Sequence, residues 1–295
     1  MSRGLDDAIA ALVAAQADLN AGSDQSWPAE AGHPPVRLVE PDYAGARIGV
    51  SDMGGGLAVS FRGDPHESWP ILQDVLSRQS VADHILLLDL SGPDIGANGL
   101  KAWDFASLIA AAPGFPRLVD FRIGLTDPGD HNQSMIADDQ LPPLLALMPA
   151  LRQMELPQAP EPDFFRLPLP DLRAIRTGGD HRTRGFIHHL ADATLPSLRF
   201  VDFTDSLAPF MMDEQQPAEW SSTPFADYER LFAAPITRQL SGMRLRNAHL
   251  TEAQYRALHA ARPQLQFSVT LEAPHCYVAH WRENGFPYRH LLPFG

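Results

Sequence analysis

Leu195-Pro196-Ser197-Leu198-Arg199-Phe200-Val201-Asp202-Phe203 is the stretch that decides the fold. An apolar residue and a proline open it, a leucine follows, and apolar side chains return at +3 and +5 from that leucine. The same form recurs as Phe115-Pro116-Arg117-Leu118 with Phe121 and Ile123, and as Met148-Pro149-Ala150-Leu151 with Met154 and Leu156. It recurs again as Leu169-Pro170-Asp171-Leu172 with Ile175 and Thr177, the last a polar exception. Ile85, Leu88 and Leu90 keep the spacing without the proline, as do Leu240, Met243 and Leu245. Arg262-Pro263-Gln264-Leu265 then leads into FSVTL, where alternation persists in shifted register. A phrase that returns every few tens of residues marks a stacked array of equivalent units. The steps between first positions are 33, 33, 21, 26, 42 and 25 residues, so inserts or a degenerate unit must interrupt the array.

Apolar residues two apart on a short run read as a strand with one buried face. Between these strands lie stretches with helical character: 102–112, 140–148, 185–193, 225–234 and 251–262. Thr251-x-x-Gln254 is a capping-box signature at the start of the last. Each proline of the repeated phrase stops the helix before it and turns the chain into the next strand. Upstream, 5–19 (LDDAIAALVAAQADL) reads as a helix and 20–35 as a loop or linker. VRLVE, ARIGV and LAVSF read as strands, with Gly54-Gly55-Gly56 as the turn between the last two. The expected organisation is an N-terminal helix and linker (1–35), a β-rich N-terminal cap (36–80), the array (81–272) and an aromatic C-terminal cap (273–295).

Leu-x-x-Leu-x-Leu preceded by Leu-Pro-x, with a helical return leg, resembles the leucine-rich-repeat superfamily, in its irregular bacterial cytoplasmic form. The resemblance covers about 81–271, and its best copies are 195–203 and 148–156. It implies an α/β solenoid with parallel strands on the concave face and helices on the convex face. The asparagine or cysteine that follows the strand in that family is missing after Ile123, Leu156 and Thr177; Asn247 alone stands in a comparable place. A weaker hydrogen-bonded ladder inside the turns, and an irregular curvature, are therefore expected.

Stacking strand–helix units buries one sheet face and leaves the other open. The residues between the apolar positions face outwards: Leu87 and Asp89, Asp120 and Arg122, Gln153 and Glu155, Ala174 and Arg176, Phe200 and Asp202, Arg244 and Arg246. Arginine and an exposed aromatic are the types that dominate interface energetics. The candidate partner-binding set is Asp120, Arg122, Gln153, Glu155, Arg176, Phe200, Asp202, Arg244 and Arg246. The bland alternative is a solvated sheet face with salt bridges between neighbouring strands.

The 295 residues carry a net charge of −13, with one lysine, Lys101, beside 22 arginines. That arginine bias fits GC-rich coding, as in many bacteria. The charge disfavours nucleic acid or an anionic membrane as partner and would attract a basic protein. Cys276 is the only cysteine, which rules out an internal disulfide framework. The N-terminal stretch lacks the basic and apolar regions of a signal peptide, and there is no apolar run of membrane-spanning length, so a cytoplasmic location is expected.

Catalytic signatures such as G-x-S-x-G, H-E-x-x-H and Ser-x-x-Lys are absent from the sequence. Gly178-Gly179-Asp180-His181-Arg182, with His188 and His189 beyond it, could hold an anion or a metal, or could be a strand-to-helix turn with surface histidines. His275, Cys276, His280 and His290 raise a zinc or thiol site. The alternative there is an end cap built from Tyr277, Trp281, Phe286, Tyr288 and Phe294. Asp127, Asp130, His131, Asp138 and Asp139 lack calcium-loop spacing and read as a solvated loop. No metal or cofactor is therefore expected. The primary expectation is a non-enzymatic protein-interaction module, with an inhibitor or immunity protein for a toxin enzyme as its specific form. The alternatives are a metal- or thiol-dependent hydrolase using the C-terminal Cys/His group, and a scaffold subunit of a larger complex.

Overall fold

The computed structural model describes residues 3–22, 46–92, 100–124, 133–137, 139–178, 182–206 and 221–270. Helix α1 (Arg3–Gly22) precedes a hairpin of β1 (Arg47–Asp52) and β2 (Leu57–Arg62). Then come α2 (Trp69–Leu76), α3 (Gln79–Ala82), β3 (Ile85–Ser91), β4 (Leu100–Trp103), α4 (Ala106–Ala111), β5 (Asp120–Ile123) and β6 (Gln133–Ile136). The chain continues through α5 (Leu141–Ala146), β7 (Gln153–Glu155), β8 (Ala174–Gly178), α6 (Phe186–Leu190) and β9 (Phe200–Thr204). It ends, as described, with α7 (Phe225–Ala233), β10 (Gly242–Arg246), α8 (Glu252–Ala261) and β11 (Gln266–Thr270). The fold is mixed α/β, built on a nine-stranded sheet in the order β1-β2-β3-β5-β7-β8-β9-β10-β11. Only β1 and β2 pair antiparallel; every later neighbour in that sheet is parallel.

The repeated phrase is a turn with a fixed hydrogen bond. The Leu118 amide donates to the Phe115 carbonyl, Leu151 to Met148, Leu172 to Leu169, Leu198 to Leu195 and Leu265 to Arg262. Proline thus sits at the second position of a four-residue turn, where its fixed φ fits and its missing N–H is not needed. Both apolar ends of each of the first four turns are buried. Past the turn, the +3 side chains Leu88, Phe121, Met154, Ile175, Val201 and Met243 line up across the sheet, continued by Val59 on one side and Phe267 on the other. All eight are buried, as an alternating strand pattern requires of the covered face. Thr177, the polar exception, is fully buried and donates its hydroxyl to the Gln158 carbonyl at 2.6 Å, so no polar group is stranded. The shifted register at the end is real, since Phe267 pairs with Met243 and places Leu265 one residue later in its unit than the other leucines.

The uneven steps have a structural cause. Each of the two 33-residue steps contains an extra strand, β4 or β6, and these two pair in parallel as a second small sheet. The 21-residue step returns through a 3-10 turn, Pro162–Arg166, with no α-helix. The 42-residue step holds α7, a 3-10 turn (Pro235–Arg238) and the segment 207–220, which lies outside the described residues.

Several expectations are redrawn by these elements. The segment read as β-rich contains α2 and α3, and β2 joins the main sheet by pairing in parallel with β3. The helix expected from 102 begins at Ala106, because Ala102 and Trp103 belong to β4. The hairpin turn forms as read: the Asp52 side chain accepts from the Gly54 and Gly55 amides, and both glycines have positive φ. Residues 20–22, read as the start of the linker, extend α1; the rest of that linker, VRLVE and the proposed C-terminal cap lie outside the described residues. Among the described residues, no helix is long and apolar enough to cross a membrane.

The core runs the length of the main sheet. At its N-terminal end Phe61, Trp69, Trp103, Phe105 and Phe121 form a chain of tilted and edge-on ring contacts, with centroids 5.3–6.2 Å apart. Farther along, Phe186 of α6 stacks on Phe203 of β9 at 4.8 Å. The capping box at α8 is present: Gln254 N donates to Thr251 Oγ1, and Thr251 N donates to the Gln254 side chain. Thr251→Ala is expected to lower the unfolding free energy by about 1 kcal/mol, read from a denaturant titration. A change below a few tenths would mean that α8 is held by packing alone.

Candidate functional site

The outward residues of the strands form two rows across the open face. One runs Ser60, Asp89, Arg122, Glu155, Arg176, Asp202, Arg244 and Ser268 on successive strands. Charge alternates along its six central members, each opposite sign one strand away. The other row runs Leu87, Asp120, Gln153, Ala174, Phe200, Gly242 and Gln266. A depression of about 560 Å³ lies over β5 to β11, lined by eight of the nine candidate residues; Arg246 is the one outside it.

The ion pairs follow from the register. Arg122 folds over its same-strand neighbour Asp120, with Nε and Nη2 on the two carboxylate oxygens at 2.9 and 2.5 Å. Arg176 donates to Glu155 at 3.2 Å, and its Nε stands 3.9 Å from Asp202. Asp202 accepts two hydrogen bonds from Arg246, at 2.7 and 2.9 Å, and one from Arg244 at 3.4 Å. Strands β3 to β10 thus carry four carboxylates and four guanidiniums on this face, a local balance of zero within a chain of net charge −13. Burial pushes the Asp89 carboxyl above its ordinary range, opposed by the Arg122 charge and reinforced by Asp120. The hydrogen bond to Asp120 holds Arg122 still more firmly protonated, against a smaller effect of burial.

Access differs sharply within the set. Phe200 is 52% exposed, a large apolar side chain left in water. Its ring leans over the strand at Gly242, where a Cβ would come within 3.0 Å of it. On its other side Ala174 leaves the hollow unfilled. Gln153 and Arg244 are also exposed, whereas Asp120 is buried beneath Arg122 and Arg246 is mostly covered. All nine residues lie on the open face, and Asp120 among them is buried. Arg122, two residues away and so on the same side of the strand, closes over it.

The other candidate clusters separate. His188 Nδ1 lies 2.8 Å from Asp227 Oδ1 across α6 and α7, and Arg230 donates to the His188 carbonyl. The His189 ring stands nearly perpendicular to that of His188, and burial, aided by the His188 and Arg230 charges, lowers its affinity for a proton. Among the described residues no group of three or more His, Cys, Asp or Glu could hold a metal ion. Gly179, Asp180 and His181, the Cys276 group with its histidines, and Asp127, Asp130, His131 and Asp138 lie outside the described residues.

Sequence reasoning found one member, Asn247, of a buried polar column and missed the other two. Gln158, Asp205 and Asn247 each stand seven residues after the first leucine of their unit, and all are buried. Gln158 Nε2 donates to the Ile136 carbonyl of β6. Asp205 accepts from the Ser206 and Thr223 amides, the Thr223 hydroxyl and the Tyr228 hydroxyl. The place after Leu156, expected to lack asparagine, is thus filled by glutamine, and Asp205 holds the same place after Phe203. The signal was the +7 spacing, hidden by a search for one residue type.

No protein family, curated protein or solved structure matches this chain.

Proposed function

We propose that the chain is a non-enzymatic protein-interaction module of leucine-rich-repeat type, which binds a protein partner on the open face of its parallel sheet. Helices pack about 10 Å apart and strands about 4.8 Å apart, so stacking helices outside strands curves such an array towards the strand side. A partner would then enter a concave surface. The observation that carries the reading is Phe200, 52% exposed in the middle of a depression whose polar side chains are otherwise organised by register. An exposed aromatic flanked by arginines is the composition of an interface hot spot. An inhibitor or immunity protein for a toxin enzyme is the specific form this reading takes. A basic surface on that enzyme would be drawn by the chain's overall charge during approach.

Phe200→Ala is expected to weaken partner binding by about 2 kcal/mol, roughly thirtyfold, with thermal stability unchanged because the side chain is not in the core. The measurement is co-purification from native lysate, then titration calorimetry with the recovered partner. If Phe200→Ala and Arg176→Glu both leave every specific partner bound at unchanged affinity, this face is not the binding site.

A further inference from the structure

From β3 to β10 the open face is neutral in charge but not in hydrogen-bonding capacity. Its acceptors are largely committed. Both Asp120 oxygens are taken by Arg122, and Asp202 receives three arginine N–H bonds. The carboxylate side chains are also sunk: Asp120 is 12% exposed and Glu155 and Asp202 are 21% exposed. The side chains of Arg122, Arg176 and Arg244 stand higher, at 42%, 37% and 52%. Each guanidinium has five N–H donors. Among the described residues Arg176 and Arg244 each make one hydrogen bond, through Nη1, so the Nη2 groups of both remain spare; Arg176 Nε is buried and faces Asp202 at 3.9 Å. A partner therefore meets spare donors in fork geometry, which matches carboxylates. Between those two arginines on the sheet stands Asp202, and beside it Phe200 with the hollow over Ala174.

From this geometry we infer that the docked element of the partner is acidic: it places carboxylates on Arg176 and Arg244 and an apolar side chain in the hollow beside Phe200. This rests on the interaction-module reading and adds the chemistry of the contact. The overall negative charge and the local donor excess act at different ranges. The former governs approach over about a Debye length, roughly 8–10 Å at moderate salt. The latter acts at contact, where a basic segment would find Asp120 and Asp202 already occupied by arginine.

The test uses the full chain and two synthetic peptides, Ac-Glu-Glu-Leu-Glu-Glu-amide and Ac-Lys-Lys-Leu-Lys-Lys-amide, followed by NMR of the arginine Nε–Hε signals. The Glu peptide is expected to shift the Arg176 and Arg244 signals saturably, and the Lys peptide to leave them unmoved. Arg244→Gln should weaken the Glu peptide about tenfold, the loss expected for a charge-assisted hydrogen bond. Arg244 is more than half exposed on its side chain, so this variant is expected to fold, and its melting curve checks that it does. Saturable binding of the Lys peptide at these arginines, binding of neither peptide, or a Glu-peptide affinity untouched by Arg244→Gln overturns the inference. Those outcomes leave the interaction face itself standing, since that is judged by Phe200→Ala against the recovered partner.

Discussion

Asp205→Ala is expected to lower the unfolding free energy by about 3 kcal/mol at pH 7, and Asp205→Asn is expected to raise it. The carboxylate is fully buried at the end of β9. It accepts four hydrogen bonds, from the Ser206 and Thr223 amides and the Thr223 and Tyr228 hydroxyls. Ser206 and Thr223 flank the long excursion between β9 and α7, so one side chain closes both ends of that connection. Alanine would orphan those donors at about 1–3 kcal/mol each, partly offset because a buried charge leaves with the carboxylate. Burial raises the Asp205 carboxyl from 3.8 to about 6, against the hydrogen bonds from Tyr228, Thr223 and Ser206 that lower it. The folded state then binds this proton more tightly than the unfolded state does. Its contribution to stability is complete below about pH 4 and is lost as pH rises through about 6, a change of about 3 kcal/mol. Asparagine keeps an acceptor for the amides and can donate to the Tyr228 oxygen, with no charge to bury. Chemical denaturation at several pH values between 4 and 8 checks both parts. The stability difference between Asp205→Asn and wild type should grow as pH rises from 4 to 7. A flat difference would mean that the carboxylate is not destabilised by its burial.

How far the sequence reached depends on which features are periodic. The +3 and +5 positions repeat on every unit but the last, and they located strands of the parallel sheet and the sides on which Arg122, Glu155, Arg176 and Phe200 lie. The second sheet was hidden because β4 and β6 are four residues long and sit inside connections that read as helix or loop. Helix α2 was hidden by its neighbours: Trp69-Pro70 follows a turn, and the whole segment lay among strand-like runs. The Gln158, Asp205 and Asn247 column shares a spacing but no residue type, so a pattern based on identity passes over it. The donor excess of the open face could not be read either. It depends on which carboxylate each guanidinium chooses, such as Arg122 turning to Asp120 within its strand while Asp89 and Glu155 stand on the neighbouring strands. Rotamer and register settle that choice, and composition does not.

Gly178→Ala is expected to destabilise the protein by about 3–5 kcal/mol and to disturb the charged row with it. Gly178 ends β8 opposite Thr204 of β9 and has φ of +106°, a conformation that residues with a side chain rarely adopt. A Cβ there would stand 2.8 Å from the Thr204 nitrogen and closer still to its carbonyl oxygen. Both obstacles are backbone, so no side chain can swing aside, and relief requires β8 and β9 to part. The backbone strain and the steric overlap each cost about 1–3 kcal/mol. Two residues back along β8, Arg176 lies opposite Asp202 and holds the middle of the alternating row. Separation of the strands at their ends would lengthen that contact and tilt Phe200 away from the hollow over Ala174. The variant should therefore melt earlier and, where still folded, bind the partner more weakly than its distance from Phe200 would suggest. Gly178→Ala with wild-type stability would mean that β8 ends before this residue in solution, and the row would then need a different register beyond Thr177.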